Sequence, residues 1–370
     1  MPRPTYAEVN LGAICRNLRA LRGLLAPGVK VLGVVKADAY GHGAVPVARA
    51  LADEGVEMLG VALVEEGVEL RLAGVTTPIL VMGTLPADEI GAALEHDLRP
   101  TIDDLATATE LARRAAGRGT PVRVHLKVDT GMTRLGVRWE DAADAAAAVA
   151  GMPNLALEGV YTHFACADVE AHPATAAQLG RFRRVLGALR EGGIGPVLAH
   201  AANSSALALV REAHFDMVRP GLALYGVDPC AASAAKAALE PAMALGTEVV
   251  HLKRVPRGEA VSYGHTWRAE RDSVVGILPV GYADGFPRAL SNRGKVRVGG
   301  RLCPIVGIVC MDATLVDLTD VEAARVGMPA ALMEADNESP IAALALAALV
   351  GTISYEILTG IGKRVPRKYV

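Results

Sequence analysis

The chain lacks most of the features that would mark a specialised class. It has no CxxC pair, and five cysteines are an odd count, so neither a disulfide framework nor a zinc site of paired thiolates is expected. A reducing cytoplasm is the expected compartment. No apolar h-region follows the charged opening MPRPTYAEVN, so no secretory signal is expected. No apolar run reaches bilayer length. The longest Ala-rich stretch, PIAALALAALVG at 340–351, is too short to span and reads as a buried helix. Basic residues are scattered and the formal net charge is -2, which removes nucleic acid and anionic membrane from the expected partners. No internal repeat or low-complexity linker is visible.

What is present is apolar and periodic. At 370 residues and 51% hydrophobic, the chain suits one large domain and a smaller one. Eight short apolar runs alternate with amphipathic segments: VKVLGVVK (29–36), EMLGVAL (57–63), ILVMG (79–83), RPTI (99–102), RVHLKVD (123–129), LEGVYTHFA (157–165), PVLAHAAN (196–203) and DMVRPGLALYG (216–226). Continuous apolar runs suit parallel strands buried on both faces. In the helical segment after the fourth run, Thr101 and Asp104 form an expected capping box. In a later segment Phe182, Leu186 and Leu189 share a face. Eight strand–helix units predict an α/β fold with an N-terminal (β/α)8 TIM-like barrel. Beyond about residue 240 the pattern becomes short strands separated by Gly and Pro, which predicts a C-terminal mainly-β domain. The expected division is 1–235 and 236–370, with the boundary near 229–241.

In such a barrel, reacting groups sit at the C-terminal ends of strands. The first run ends in Lys36, followed by Tyr40, Gly41, His42 and Gly43. A lysine there either reaches solvent at the rim or is a desolvated amine suited to a Schiff base. The fifth run supplies Lys127, Asp129 and then Arg134; the sixth His163, Cys166 and Asp168; the seventh His200, Asn203 and Ser204; the eighth Arg219, Gly221 and Tyr225. Singly, each has an ordinary structural explanation: a hydrogen-bonded core histidine, or an ion pair of Lys127 with Asp129. Together they crowd one barrel face. Ser204, with the backbone amides of Gly221 and Leu222 at a helix start, suits a phosphate. A phosphate at that end and an amine-bound carbonyl at Lys36 describe one cofactor, pyridoxal phosphate.

The segments VVKADAYGHG, HLKVDTGMTRLG, YTHFACAD, ANSSA, VRPGLALYG, VSYGHTW, PVGYADGFPR, VGIVCMDATLVDL and GTISYEILTGIGKRVPRKYV resemble the alanine racemase family, in the family's order and over nearly the whole chain. Two departures stand out. Asp38 occupies a position where Asn is common, and GMPAALMEAD at 327–336 replaces an acidic, β-rich segment, a change expected to touch only the periphery of the β domain.

The resemblance implies roles. Lys36 matches the Schiff-base lysine and one of two bases, and Tyr263 matches the other. Tyr40, Ser204, Gly221, Leu222 and Tyr355 match phosphate neighbours. His163 matches a residue beside the cofactor ring, and Arg219 the partner of the ring nitrogen. Arg134 matches the contact to the phenolic oxygen and the substrate carboxylate. Lys127 resembles the lysine that some members carbamylate. Met311, Asp312 and Tyr282 match groups at the substrate entrance. In the family these and the Tyr263 equivalent come from the partner subunit, so a homodimer with shared sites is implied.

The implied reaction interconverts L- and D-alanine, supplying D-alanine for peptidoglycan. It needs a base on each face of Cα. Lysine and tyrosine side chains both titrate near 10 in water, so the site must lower at least one. The rivals are a broader racemase acting on serine, a related barrel-type decarboxylase, a single-barrel pyridoxal-phosphate-binding protein and a lysine aldolase. The decarboxylase normally faces the ring nitrogen with an acid, the binding protein lacks the β domain, and the aldolase needs no cofactor.

Overall fold

The computed structural model of the chain describes residues 3–195, 197–227 and 238–370. After a first strand β1 (Tyr6–Val9), the eight apolar runs form β2 (Lys30–Val34), β3 (Met58–Val61), β4 (Ile79–Val81), β5 (Arg99–Ile102), β6 (Val122–Asp129), with a two-residue β7 (Val137–Arg138) beside it, then β8 (Leu155–Tyr161), β9 (Leu198–His200) and β10 (Met217–Val218). They pair in parallel in the order β5-β4-β3-β2-β10-β9-β8-β6, and a β5–β6 pairing closes the ring. The runs are apolar because side chains on both faces are covered: Leu32, Leu59, Leu80, Ile102, Leu126 and Val160 are fully buried.

The intervening segments are the expected helices. Pro173–Glu191 buries Phe182, Leu186 and Leu189 along one stripe. The helix Leu105–Arg114 corrects a detail. Asp104 is its N-cap, accepting from the Thr107 amide at 2.7 Å, whereas Thr101 lies in β5 with its hydroxyl 2.8 Å from Tyr161 Oη.

The second part of the chain is mainly β, as expected. Its strands are β11 (Met243–Glu248), β12 (His251–Val255), β13 (Ala260–Val261), β14 (Trp267–Arg268), β15 (Ser273–Leu278), β16 (Lys295–Val298), β17 (Arg301–Pro304), β18 (Thr314–Asp317), β19 (Pro329–Met333) and β20 (Arg367–Tyr369). One sheet has the order β17-β16-β19-β11-β1-β20, and a smaller one β12-β15-β18. Strand β1 runs antiparallel to β11 and parallel to β20, so the chain's first strand completes the second sheet. The segment 327–336 is not peripheral. It supplies β19, which pairs with both β11 and β16 and buries Ala330, Leu332 and Met333. The expected boundary between 235 and 236 falls outside the described residues. Among the described residues no single helix is long and apolar enough to cross a membrane, and Ala343–Val350 and Ser354–Gly360 lie at 106° to one another.

Candidate active site

At the end of β2 the backbone turns left-handed for four consecutive non-glycine residues, Ala37 to Tyr40, with φ between 52° and 55°. For L-residues this conformation costs roughly 1–2 kcal/mol each, so neighbouring contacts must hold it. Glu66 is one clamp. Its carboxylate accepts from the Ala37 amide at 2.6 Å and the Ala62 amide at 2.7 Å, tying the turn to the segment after β3. Asp38 is another, accepting from the Ala44 amide at 2.7 Å at the start of the next helix. A carboxylate is favourable at a helix N-terminus, which explains why Asp serves where Asn is common. Gly41 ends the turn at φ 82°, where an added Cβ would lie 2.4 Å from the Leu358 carbonyl.

The turn presents Lys36 and Tyr40 to a cavity of about 730 Å³ at the C-terminal ends of the barrel strands. Ten expected residues line it: Lys36, Tyr40, Lys127, Arg134, His163, Ser204, Arg219, Gly221, Leu222 and Tyr355. Four of these are cations, Lys36, Lys127, Arg134 and Arg219, while Asp168 is the only carboxylate among the described lining residues. Burial and the Arg134 charge lower the Lys36 pKa, against a smaller opposing effect of Glu66. The Lys127 amine, over the Tyr161 ring, is pushed down to about 8 by burial, Arg219 and Arg134. Arg219 is buried and brought down to about 10 by desolvation. It donates to the Thr162 carbonyl at 2.7 Å, to His200 Nδ1 at 3.0 Å and to His163 Nδ1 at 3.4 Å. Burial, then Arg219, holds the His163 imidazole well below its usual range.

Lys127 therefore carries a stability penalty. Its pKa falls from 10.5 unfolded to about 8 folded. The penalty is full below about pH 8 and fades as pH rises toward 10.5. In CO2-free buffer, Lys127→Met is expected to raise Tm by about 2–4 °C at pH 7, with the gain disappearing near pH 10. Calorimetry at the two pH values checks this, and an equal gain at both would contradict it.

Opposite Lys36, the Ser204 hydroxyl accepts from the Gly221 amide at 2.9 Å and the Ala223 amide at 3.2 Å. The Gly221 amide thus points to Ser204, and the hydroxyl hydrogen is the donor left for a ligand. Gly221 is required here: an added Cβ would lie 2.4 Å from Tyr40 Oη. Rings of Tyr225 and Tyr355 flank Tyr40 at 4.9 and 5.9 Å.

The structure does not bring every expected residue to this cavity. Tyr263, Tyr282, Met311 and Asp312 are absent from its lining and lie on the β domain surface. Tyr263 is 71% exposed, Met311 52% and Tyr282 43%. Their loops are mutually braced: the Tyr282 and Ala283 amides donate to the Cys310 and Met311 carbonyls, and Ser262 Oγ bridges to Ile308. Asp312 pairs with Arg364 at 2.6 Å.

The cavity fits a cofactor carrying an anion at one end and a carbonyl at the other. An excess of cations, of which Lys127 and Arg219 are buried, favours an anionic ligand. The Arg219 guanidinium in the lining has no acceptor, so toward any ligand it can only donate a hydrogen bond. Glu66 went unremarked in the sequence. Its signal is a glutamate at the third position of the helix Val64–Leu72 immediately after a barrel strand.

Comparison with known proteins agrees with this geometry. The model for "Alanine racemase, N-terminal domain" matches residues 9–229 and that for "Alanine racemase, C-terminal domain" matches 242–369. The alanine racemase of Halothermothrix orenii is 42% identical over 99% of this chain and 97% of its own length. That of Symbiobacterium thermophilum is 44% identical with the same coverage. The structure of the Clostridium difficile alanine racemase superposes with a TM-score of 0.95 at 35% identity, covering 100% of this chain and 96% of that one. The alanine racemase of a D-cycloserine-producing Streptomyces lavendulae gives 0.93 at 40% identity, covering 100% and 98%. A closed eight-stranded barrel, a β domain continuous with the first strand, and relatives matching over both establish that the chain belongs to the alanine racemase family.

Proposed function

We propose that the chain is a cytoplasmic, homodimeric alanine racemase that uses pyridoxal phosphate and supplies D-alanine for peptidoglycan. The observation that carries this reading is the excess of cations around a half-buried lysine at the C-terminal mouth of the barrel. When bound, pyridoxal phosphate spreads the negative charge left on Cα once its proton is removed.

The chain's own residues do the rest. Lys36 holds the cofactor and works on one face of Cα, taking or returning the proton at Nζ; its lowered pKa leaves more of the amine neutral near pH 7. The partner subunit's Tyr263 works at Oη on the other face. A single base would mainly return the proton where it came from, so inversion needs both. Ser204, Leu222, Tyr40 and Tyr355 hold the phosphate, and Gly221, whose own amide is spent on Ser204, lets Tyr40 come close. Arg134 orients the phenolic oxygen and the substrate carboxylate. Lys127, when carbamylated, becomes an anion that orients Arg134. Arg219 would face the ring nitrogen, to which a guanidinium can donate a hydrogen bond but will not readily give up its proton. His163 packs beside the ring and accepts from Arg219.

Tyr263, Tyr282, Met311 and Asp312 belong to the neighbouring subunit's substrate entrance, with the Met311 amide near the substrate carboxylate. Their joint exposure in the single chain supports that reading, since exposed aromatic and apolar side chains on braced loops suit an interface. Arg219 also weighs against the decarboxylase alternative.

Incubation of the enzyme with pyridoxal phosphate and L-alanine, followed by chiral chromatography, tests the activity. Equal amounts of the two enantiomers are expected at equilibrium. Carbon dioxide and an amine as products, or serine turned over in preference to alanine, would overturn it.

A further inference from the structure

Beneath the cavity, a chain of hydrogen bonds leads from Arg219 down the inside of the barrel. Arg219 meets His200 Nδ1 at 3.0 Å, His200 Nε2 meets His125 Nδ1 at 2.8 Å, and His125 Nε2 meets Glu158 Oε2 at 3.1 Å. A guanidinium has no acceptor. His200 Nδ1 must therefore accept, so its hydrogen sits on Nε2. His125 Nδ1 must then accept in turn, so its hydrogen also sits on Nε2 and is donated to the carboxylate. One donor-only group at the top and one acceptor-only group at the bottom thus set the hydrogen position on both imidazoles.

The fold is locally built for this chain. Along the β6–β8 ladder Val124 pairs with Leu157 but His125 pairs with Gly159, so Glu158 is an extra residue in the strand. Such a bulge re-aims a side chain; here Glu158 reaches His125 on the neighbouring strand. Gly159 makes room, since an added Cβ would stand 2.3 Å from His125 Nδ1. The Tyr161 ring stacks on His200 with centroids 4.7 Å apart. Arg99 on β5 at 2.8 Å and Arg123 on β6 at 3.5 Å face Glu158 and keep it a carboxylate. Burial holds both imidazoles below their usual range, so they are neutral at pH 7.

We propose that Glu158 is a positioning residue for Arg219, acting through His125 and His200 by holding both imidazoles in the one tautomer that leaves His200 Nδ1 free to accept. Without the carboxylate, the buried His125 Nε2–H loses its acceptor and the tautomers can reverse. A hydrogen on His200 Nδ1 then faces the guanidinium donor and displaces it from the ring nitrogen. The proposal rests on Arg219 as the ring-nitrogen partner, and racemisation by the unaltered enzyme tests that reading separately.

Neutron diffraction from the perdeuterated holoenzyme reads the tautomers directly. Deuterium is expected on Nε2 of both His125 and His200; deuterium on Nδ1 of either overturns the proposal. Two variants test the consequence. Glu158→Leu removes the acceptor and is expected to raise the Kd for pyridoxal phosphate and lower kcat about tenfold each, as befits one lost hydrogen bond in a charged chain, with KM for alanine within about twofold. Glu158→Gln keeps a carbonyl oxygen in place and is expected to restore both within about threefold. Equal losses in the two variants, or no loss in Glu158→Leu, would overturn the proposal.

Discussion

Lys36→Ala is expected to abolish racemisation in both directions, by at least about 10⁴-fold. On the proposed assignment the substitution removes a base whose positioning alone contributes roughly 10²–10⁴, together with the covalent anchor. The cavity holds a second amine, Lys127, whose pKa is pushed down to about 8, so amine chemistry alone does not select Lys36. Geometry does. Lys36 leads into the left-handed turn that ends beside the Ser204–Gly221 cradle, with Tyr40 Oη crowding Gly221. Lys127 lies over the Tyr161 ring, where its strongest charged neighbours are two arginines. Borohydride reduction of the loaded enzyme followed by peptide mapping should find the label on Lys36. A label on Lys127 would contradict the assignment.

Tyr263→Phe is expected to separate the two faces of the reaction. The equilibrium between enantiomers stays at unity, so the variant cannot slow only one direction of net racemisation. The asymmetry lies in a partial reaction. In deuterated water, exchange of the Cα hydrogen of D-alanine should persist, because Lys36 remains on its face. Exchange into L-alanine should fall by about 10²–10⁴, the contribution of one positioned acid–base group. Proton NMR of the two enantiomers reads both rates. Equal loss for both would make Tyr263 structural.

Much of this was legible in the sequence, for physical reasons. A parallel strand covered on both faces must be apolar throughout, so β2 to β6 and β8 to β10 announce themselves. The rule that barrel chemistry sits at strand ends then reaches Lys36, Lys127, His163, Ser204 and Arg219 without further information. The rest was hidden by context. YAEV carries no mark of pairing with residues 243–246 and 367–369, since that contact spans the whole chain. Nothing in KADAY signals four positive φ angles, because glycine, the usual marker, is absent until Gly41. The bulge at Glu158 shifts the ladder by one residue, a change that apolar patterning does not register. Segment 327–336 departs from the family pattern yet forms an interior strand, because Ala330 and Leu332 still alternate inward and Met333 is buried after them.

Tyr263, Tyr282, Met311 and Asp312 were reachable only through resemblance, and in a single chain they face outward. The proposed shared sites would make that exposure a requirement for a partner. Mixing the inactive Lys36→Ala and Tyr263→Phe chains tests this most directly. After random subunit exchange, half the dimers are mixed, and each mixed dimer has one intact site of two. Recovery of about one quarter of the unaltered activity is expected for a twofold-symmetric dimer with shared sites. No recovery, with exchange verified by mass spectrometry of the intact dimers, would contradict a site built from Lys36 of one subunit and Tyr263 of the other.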